Sequence, residues 1–307
     1  MISVVIPVKN GARFIRSALD SVLGQGEVVA QVVVVDDGST DETCAVVAGL
    51  VDRRIKLVVN AGKPGPSGGR NTGGACATGD WLYFVDADDL LRPNALTALL
   101  AAASAYPDAG VVYGDYGRIN ETGQPVGRRG ALRALRSLRT VPNKPSGDVL
   151  REALAGNFMI VGAPIIRREV FQAVGGFNET IRYCEDWEAW CRIAAMARFH
   201  YVAGLVVLDY RMHDSSAMHR RVLTLADFRA SLDAIFSDPG IARRVAGPEL
   251  LQLRRRAEAH LLGYIATEAL RMGRYATALD ATGQAIVRAP RITPLTLARV
   301  GGALVGL

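Results

Sequence analysis

Val32-Val33-Val34-Val35, ending on Asp36-Asp37-Gly38-Ser39, restricts the folds open to this chain more than any other segment. A strand with no polar face needs cover on both sides, the situation of a strand inside a parallel sheet flanked by helices. The acidic end of the run then stands at the carboxyl edge of such a sheet, where open α/β folds bind ligands. Gly38 permits a tight turn there, and Ser39-Thr40-Asp41-Glu42 supplies caps for a following helix.

The pattern repeats on either side. Ile2-Ser3-Val4-Val5-Ile6-Pro7-Val8 is a short β-rich run, after which Phe14, Ile15, Ala18, Leu19, Val22 and Leu23 fall at helical spacing. Ile55-Lys56-Leu57-Val58-Val59 reads as a third strand, residues 62–79 as a Gly-rich loop and helix, and Trp81-Leu82-Tyr83-Phe84-Val85 as a fourth strand. Pro93 is expected at a helix start, where its missing N–H costs nothing. After the strand Gly110-Val111-Val112-Tyr113 the period is lost over residues 124–147, which carry Arg128, Arg129, Arg133, Arg136, Arg139 and Lys144 without an acidic side chain. This stretch reads as a mobile excursion over the active face.

Patterning resumes with Pro164-Ile165-Ile166, helices from about Arg168 and over residues 185–197, and the strand Leu205-Val206-Val207-Leu208. The expected architecture is an α/β domain over residues 1–220, an open, mostly parallel sheet sandwiched by helices, with a C-terminal helical extension over residues 221–307. In the extension Gly273, Tyr275, Ala278, Ala285 and Pro290 match the second half of a tetratricopeptide repeat. One repeat is not an array, so a plain helical hairpin is the expectation.

Composition narrows the class further. At 307 residues, half of them apolar and 21% charged, the chain is globular. Its longest largely apolar stretch, residues 96–106, is far short of the roughly 20 residues of a spanning helix. Met1 runs straight into an apolar strand with no basic segment before it, so no secretion signal is read and a cytoplasmic location is expected. Cys44, Cys76, Cys184 and Cys191 fit neither a zinc motif nor a disulfide framework and are expected to be small buried thiols. The net charge of +6 sits in residues 241–307, where ten arginines face Glu249, Glu258, Glu268 and Asp280. Only Tyr264 and Tyr275 stand among those arginines, which suggests an anionic surface and not nucleic acid as their partner.

The strongest chemical signal is Asp86-Ala87-Asp88-Asp89, directly after the fourth strand. Three acids in four residues repel one another, and a bound Mg²⁺ or Mn²⁺ is their natural stabiliser; a solvated turn or a helix cap is the plainer alternative. With Asp36-Asp37 they give two acidic strand ends facing one ligand. Arg70-Asn71, at a helix start, offers a guanidinium and free N–H groups to phosphate or donor sugar, and Lys63 is a weaker donor contact because no P-loop exists here.

Four segments in order, VVIPVKNGARFIRSALDSVLGQ, VVVVDDGSTDET, GGRNTGGACATGDWLYFVDADD and GGFNETIRYCEDWEAWCRIA, resemble the inverting family 2 glycosyltransferases over about residues 1–215. The resemblance implies a GT-A fold, a nucleotide-sugar donor and a divalent metal, Mn²⁺ or Mg²⁺. It implies that Asp37, with Asp36, binds uracil or ribose, and that Pro7 and Val8 line the base pocket. Asp86-Ala87-Asp88 becomes the DxD element, with Asp88 on the metal and Asp86 on the ribose or a metal-bound water; Asp89 is left as a helix N-cap or a ligand. Glu185-Asp186-Trp187 matches the ED motif, with Asp186 as general base and Glu185 orienting it or touching the acceptor. Trp187 would stack on an acceptor sugar. His213 falls where related transferases carry a metal-binding or diphosphate-contacting histidine.

Rival readings are weaker. A haloacid-dehalogenase-like phosphatase also uses a strand followed by DxD, but on its first strand and with a downstream lysine; here the last lysine is Lys144. A Rossmann dehydrogenase lacks its GxGxxG. A transferase-like binder without catalysis remains as the alternative of a different class. The expected partners are a UDP-sugar, a glycan or lipid-linked acceptor, and an anionic membrane surface met by the arginines and residues 295–307.

Overall fold

The computed structural model describes residues 1–126, 144–213 and 221–290. Residues 128, 129, 133, 136 and 139 of the arginine-rich excursion and the apolar end at 295–307 lie outside the described residues.

The chain begins β1 (Ile2–Val8), α1 (Ile15–Leu23), β2 (Val29–Asp36), α2 (Thr43–Ala48), β3 (Ile55–Val59), α3 (Pro66–Cys76) and β4 (Trp81–Phe84). It continues through β5 (Leu90–Leu91), α4 (Ala95–Ala105), β6 (Ala109–Ile119), α5 (Leu150–Ala155), β7 (Pro164–Arg167), α6 (Arg168–Ala173), α7 (Glu185–Ala194) and β8 (Arg198–Arg211). Four helices follow: α8 (Arg229–Ser237), α9 (Pro239–Ala242), α10 (Gly247–Arg271) and α11 (Tyr275–Arg288).

Eight strands form one sheet in the order β3-β2-β1-β4-β7-β6-β8-β5. The half built from β1 to β4 is wholly parallel, its strands joined through the helices α1, α2 and α3. β7 then enters antiparallel between β4 and β6, β6 and β8 run parallel, and β5 is antiparallel to β8. Four of the seven pairings are therefore parallel, and the sheet is more mixed than its first strands suggest.

Burial explains the apolar runs. Ile2, Val4, Val5, Ile6 and Val32 to Val35 are inaccessible, with successive side chains feeding the cores on opposite faces. Val5, Val33 and Val35 share one core with Phe84, Trp187 and the C-terminal helices; Val4, Ile6, Val32 and Val34 share the other with α1 and α4. Leu253, Ala257, Leu261 and Ile265 of α10 thus join the core under the sheet.

Several local expectations shift. α4 starts at Ala95, after Asn94 in a left-handed conformation (φ 60°), so Pro93 precedes the helix. Glu42 precedes α2 without a side-chain capping hydrogen bond, and Asp41 accepts from the Thr43 N–H at 3.0 Å. Of the cysteines only Cys191 is fully buried, and the other three are half-buried free thiols. α10 and α11 form a helical hairpin turning at Gly273 (φ +68°). Among the described residues no helix is long and apolar enough to cross a membrane.

Candidate active site

Register brings the acidic strand ends together. Pro7 and Val8 of β1 lie opposite Val35 and Asp36 of β2, and the Val85 N–H donates to the Val5 carbonyl at 3.1 Å, so the residues after β1, β2 and β4 leave the sheet at one edge. Pro7 and Val8 are themselves buried, Pro7 beneath Gly69 and Val8 beneath Gly11. They form the floor of this edge and present little side-chain surface.

The two acids at the end of β2 divide the work. Asp36 accepts from the N–H groups of Gly38 and Ser39, both at 3.2 Å, so its carboxylate builds the turn and does not face outward, contrary to the expectation for donor binding. Asp37 points the other way, accepting from Asn60 Nδ2 at 2.5 Å and the Gly65 N–H at 2.8 Å.

Arg70 is the centre of the site. On α3 and only 3% exposed, it donates from Nη2 to Asp86 Oδ1 and from Nη1 to Glu185 Oε1, each at 2.8 Å. Its guanidinium carbon also lies 5.4 Å from the centre of the Phe177 ring, and its Nε has no partner among the described residues. Burial would lower the Arg70 pKa, but Asp86 and Glu185 outweigh it and raise it. Because its fork is used on two acids, Arg70 is a strut between the DxD turn and α7 and not a free phosphate ligand.

Asn71 likewise departs from the expectation for donor binding. Its side chain accepts from the Phe177 N–H at 2.8 Å and donates to the Phe177 carbonyl and to Glu179 Oε1, so it serves the segment before α7. Lys63 is exposed, and its contribution is its main-chain N–H, donated to Glu179 Oε2 at 2.8 Å.

In the DxD turn Asp86, Ala87 and Asp88 are partly exposed. Asp88 Oδ2 lies 2.7 Å from His213 Nε2, uniting two residues 125 positions apart. Burial, then the neighbouring Asp86, raises the Asp88 pKa, and His213 works against that rise. Asp89 is buried and accepts from the Arg211 N–H at 2.8 Å; burial and the charges of Asp88 and Asp86 push its carboxyl well above the usual range. It is followed by β5, so it is neither a helix cap nor an outward ligand.

Asp186 stands in the first turn of α7, half-buried, with Oδ1 accepting from the Trp187 N–H at 2.7 Å. Burial, reinforced by Glu185, raises its pKa to about 7, against the Trp187 N–H, Arg70 and Asn157. A carboxylate poised near neutrality suits proton abstraction at physiological pH. Trp187 is fully buried, and its Nε1–H donates to the Ala153 carbonyl at 2.6 Å. It cannot stack on an acceptor, because α5 and His260 of α10 enclose it.

A cavity of about 420 Å³, lined by Gly176, Asn178, Glu188, Arg192 and Pro239 among others, lies behind the 175–178 turn and holds none of these acids.

A model of the family described as glycosyl transferase family 2 matches residues 3–175. The chain belongs to that family. Among curated relatives, the succinoglycan biosynthesis protein ExoO of Rhizobium meliloti is 39% identical over 34% of this chain and 30% of its own length. The glycosyltransferase GlyG of Streptococcus pneumoniae is 25% identical over 72% of this chain and 71% of its own. The pre-mycofactocin glycosyltransferase of Mycobacterium tuberculosis is 32% identical over 68% and 43%. ExoO and the pre-mycofactocin enzyme are thus matched over less than half of their own lengths. Among solved structures, residues 1–349 of S. aureus TarS in complex with UDP-GlcNAc superpose with a TM-score of 0.66 at 18% identity, over 99% of this chain and 88% of that one. A mannosyltransferase from Pyrobaculum calidifontis, in complex with GDP-Man and Mn²⁺, gives 0.57 at 22%, over 99% and 79%. These likenesses support a GT-A fold.

In this family 2 chain one further residue supports the site unannounced by any acidic motif. Arg211, at the end of β8 and buried, donates from Nε to the Asp88 carbonyl at 2.7 Å and from Nη1 to the Glu121 carbonyl at 3.0 Å. It holds the DxD turn from behind. The available signal was a charged residue ending a largely apolar strand two positions before His213.

Proposed function

We propose that this chain transfers a sugar from a nucleotide-sugar, a UDP-sugar in the first instance, to a hydroxyl of a glycan or lipid-linked acceptor with inversion at the anomeric carbon. The observation that carries the reading is the network in which Arg70 joins Asp86 to Glu185, one residue from Asp186, whose pKa is raised to about 7. Asp186 removes the acceptor proton as the acceptor oxygen bonds to the anomeric carbon. The bond from that carbon to the diphosphate breaks, and its electron pair leaves with the diphosphate. Glu185, held by Arg70, adds its charge to the rise of the Asp186 pKa and fixes the start of α7.

Asp88 and His213 would hold a Mn²⁺ or Mg²⁺ ion. Their 2.7 Å hydrogen bond sets an oxygen and a nitrogen donor side by side, which an ion would replace, and the oxygen suits a hard cation; among the described residues no group of three or more such donors gathers. When bound, such an ion supplies charge neutralisation on the leaving diphosphate. Asp37 and the loop it holds receive the nucleoside. The UDP-GlcNAc and GDP-Man in complex with the two structural relatives support the donor class, and the Mn²⁺ in one supports the metal. The succinoglycan role in the name of one relative supports assembly of a polysaccharide, carried out at the cytoplasmic face of a membrane that the arginine-rich extension touches peripherally.

The test is the thermal midpoint with UDP, GDP and dTDP, each with and without Mn²⁺, since a ligand of the folded state raises it. A metal-dependent rise with one nucleotide is expected and selects the sugars to try as donors. No rise with any of them would overturn the donor assignment.

A further inference from the structure

We infer that Glu179 is a positioning residue that latches the donor-side loop, residues 60–65, to the segment 176–185 leading into the proposed base, so that nucleotide held beside Asp37 also sets Asp186. The inference rests on the donor reading given above.

The latch is a continuous set of hydrogen bonds. Asp37 grips the loop at both ends, through Asn60 Nδ2 and the Gly65 N–H. In its middle the Lys63 N–H donates to Glu179 Oε2 at 2.8 Å, across 116 positions of sequence. The other carboxylate oxygen, Oε1, accepts from Asn71 Nδ2 at 2.8 Å, and Asn71 pairs with both main-chain groups of Phe177. The next residue back, Arg70, holds Glu185 at the far end of the same segment. Residues 177–185 are therefore pinned at both ends by adjacent residues of α3, and Glu179 is the one side chain in them that reaches the donor loop through a hydrogen bond.

Small residues at the joints allow the approach. A Cβ on Gly62 would lie 2.9 Å from Glu179 Oε1, and one on Gly68 would lie 2.0 Å from the Lys63 carbonyl oxygen. Gly176, at φ +75°, passes so near Asn71 that a Cβ there would sit 2.5 Å from its Oδ1. From α7, Arg192 donates to the Val174 and Gly176 carbonyls at 2.6 and 2.7 Å, tying the same turn to the helix that carries Asp186. A carboxylate can satisfy Lys63 and Asn71 together with two acceptor oxygens; a glutamine has one and would turn an N–H₂ toward the other donor. Coupling through such a link is reciprocal, so nucleotide binding and the setting of α7 stabilise each other.

The experiment is hydrogen exchange on the full chain, with and without UDP and Mn²⁺, for wild type, Glu179→Gln and Glu179→Ala, after their thermal midpoints show all three folded. In wild type the nucleotide should slow exchange in both 60–65 and 176–185. In each variant the slowing at 60–65 should persist while that at 176–185 falls at least about fivefold, the low end of typical coupling. If both variants keep the wild-type slowing at 176–185, or wild type shows it only at 60–65, Glu179 is a local brace and the latch is wrong. If UDP, GDP and dTDP all leave 60–65 of wild type unaffected, the donor reading itself fails and takes the latch with it.

Discussion

Arg70 and Glu185, 115 residues apart in sequence, meet at 2.8 Å inside the protein, and the other arm of the same guanidinium holds Asp86 at 2.8 Å. The DxD turn and the start of α7 are thereby tied through one guanidinium. Removing one partner of a buried charge group leaves the others unpaired, so Arg70→Met should cost about 3–5 kcal/mol in denaturant unfolding. Adding Glu185→Gln to that variant removes one orphaned charge and should recover part of the loss; a double variant as unstable as the single one would contradict the strut.

Asp186→Asn should keep nucleotide binding, read as the thermal rise with UDP and Mn²⁺, and lower kcat by about 10²- to 10⁴-fold, the usual worth of a positioned base. Equal loss of binding and turnover would count against the assignment.

The pH profile has a definite sign. Asp186 is competent as a base when ionised, so kcat/KM should rise with pH and level off above about 7. Its folded pKa exceeds the unfolded value of 3.8, so the native state holds a proton that the unfolded state has released. That contribution to stability is present below 3.8 and is lost as pH rises through about 7. Asp186→Asn should flatten both curves, which parallel kinetics and urea titrations at pH 5, 6, 7 and 8 would check.

Asp88→Ala and His213→Ala should each reduce the Mn²⁺-dependent part of the nucleotide-induced thermal rise while leaving the metal-free part in place. Isothermal titration of Mn²⁺ into the UDP complex gives the direct measure, and an unchanged affinity in both variants would move the metal elsewhere.

Trp187→Phe tests the enclosed tryptophan. Removing the indole leaves the Ala153 carbonyl without its donor and shrinks a filled core, for a loss of about 1–3 kcal/mol, while KM for the acceptor should not change once an acceptor is known.

The primary structure announced the acidic edges because a strand buried on both faces must be apolar and must end where polarity returns, as at Val35-Asp36 and Val85-Asp86. The helix opened by Glu185 was equally legible from its acidic first turn and the apolar positions behind it. Which acid faces a ligand was not. Asp36 and Asp37 are chemically identical neighbours, and only the path of the backbone turns one into the Gly38 turn and the other toward Asn60 and Gly65.

The sequence by itself determined the class of fold, the edge of the sheet where the acids gather, and the residue types available there, because periodicity and local polarity are one-dimensional properties. Tertiary structure alone decided the partners. It committed Arg70 to two carboxylates, turned Asn71 toward Phe177 and buried Trp187 under α5. It also brought His213 to Asp88, placed Arg211 where no motif had pointed, and set Glu179, inside the GGFNE stretch, against Lys63 and Asn71. Those choices depend on contacts between residues 16 to 125 positions apart, and a side chain's role in a buried network follows from which opposite charge or lone pair the fold sets beside it.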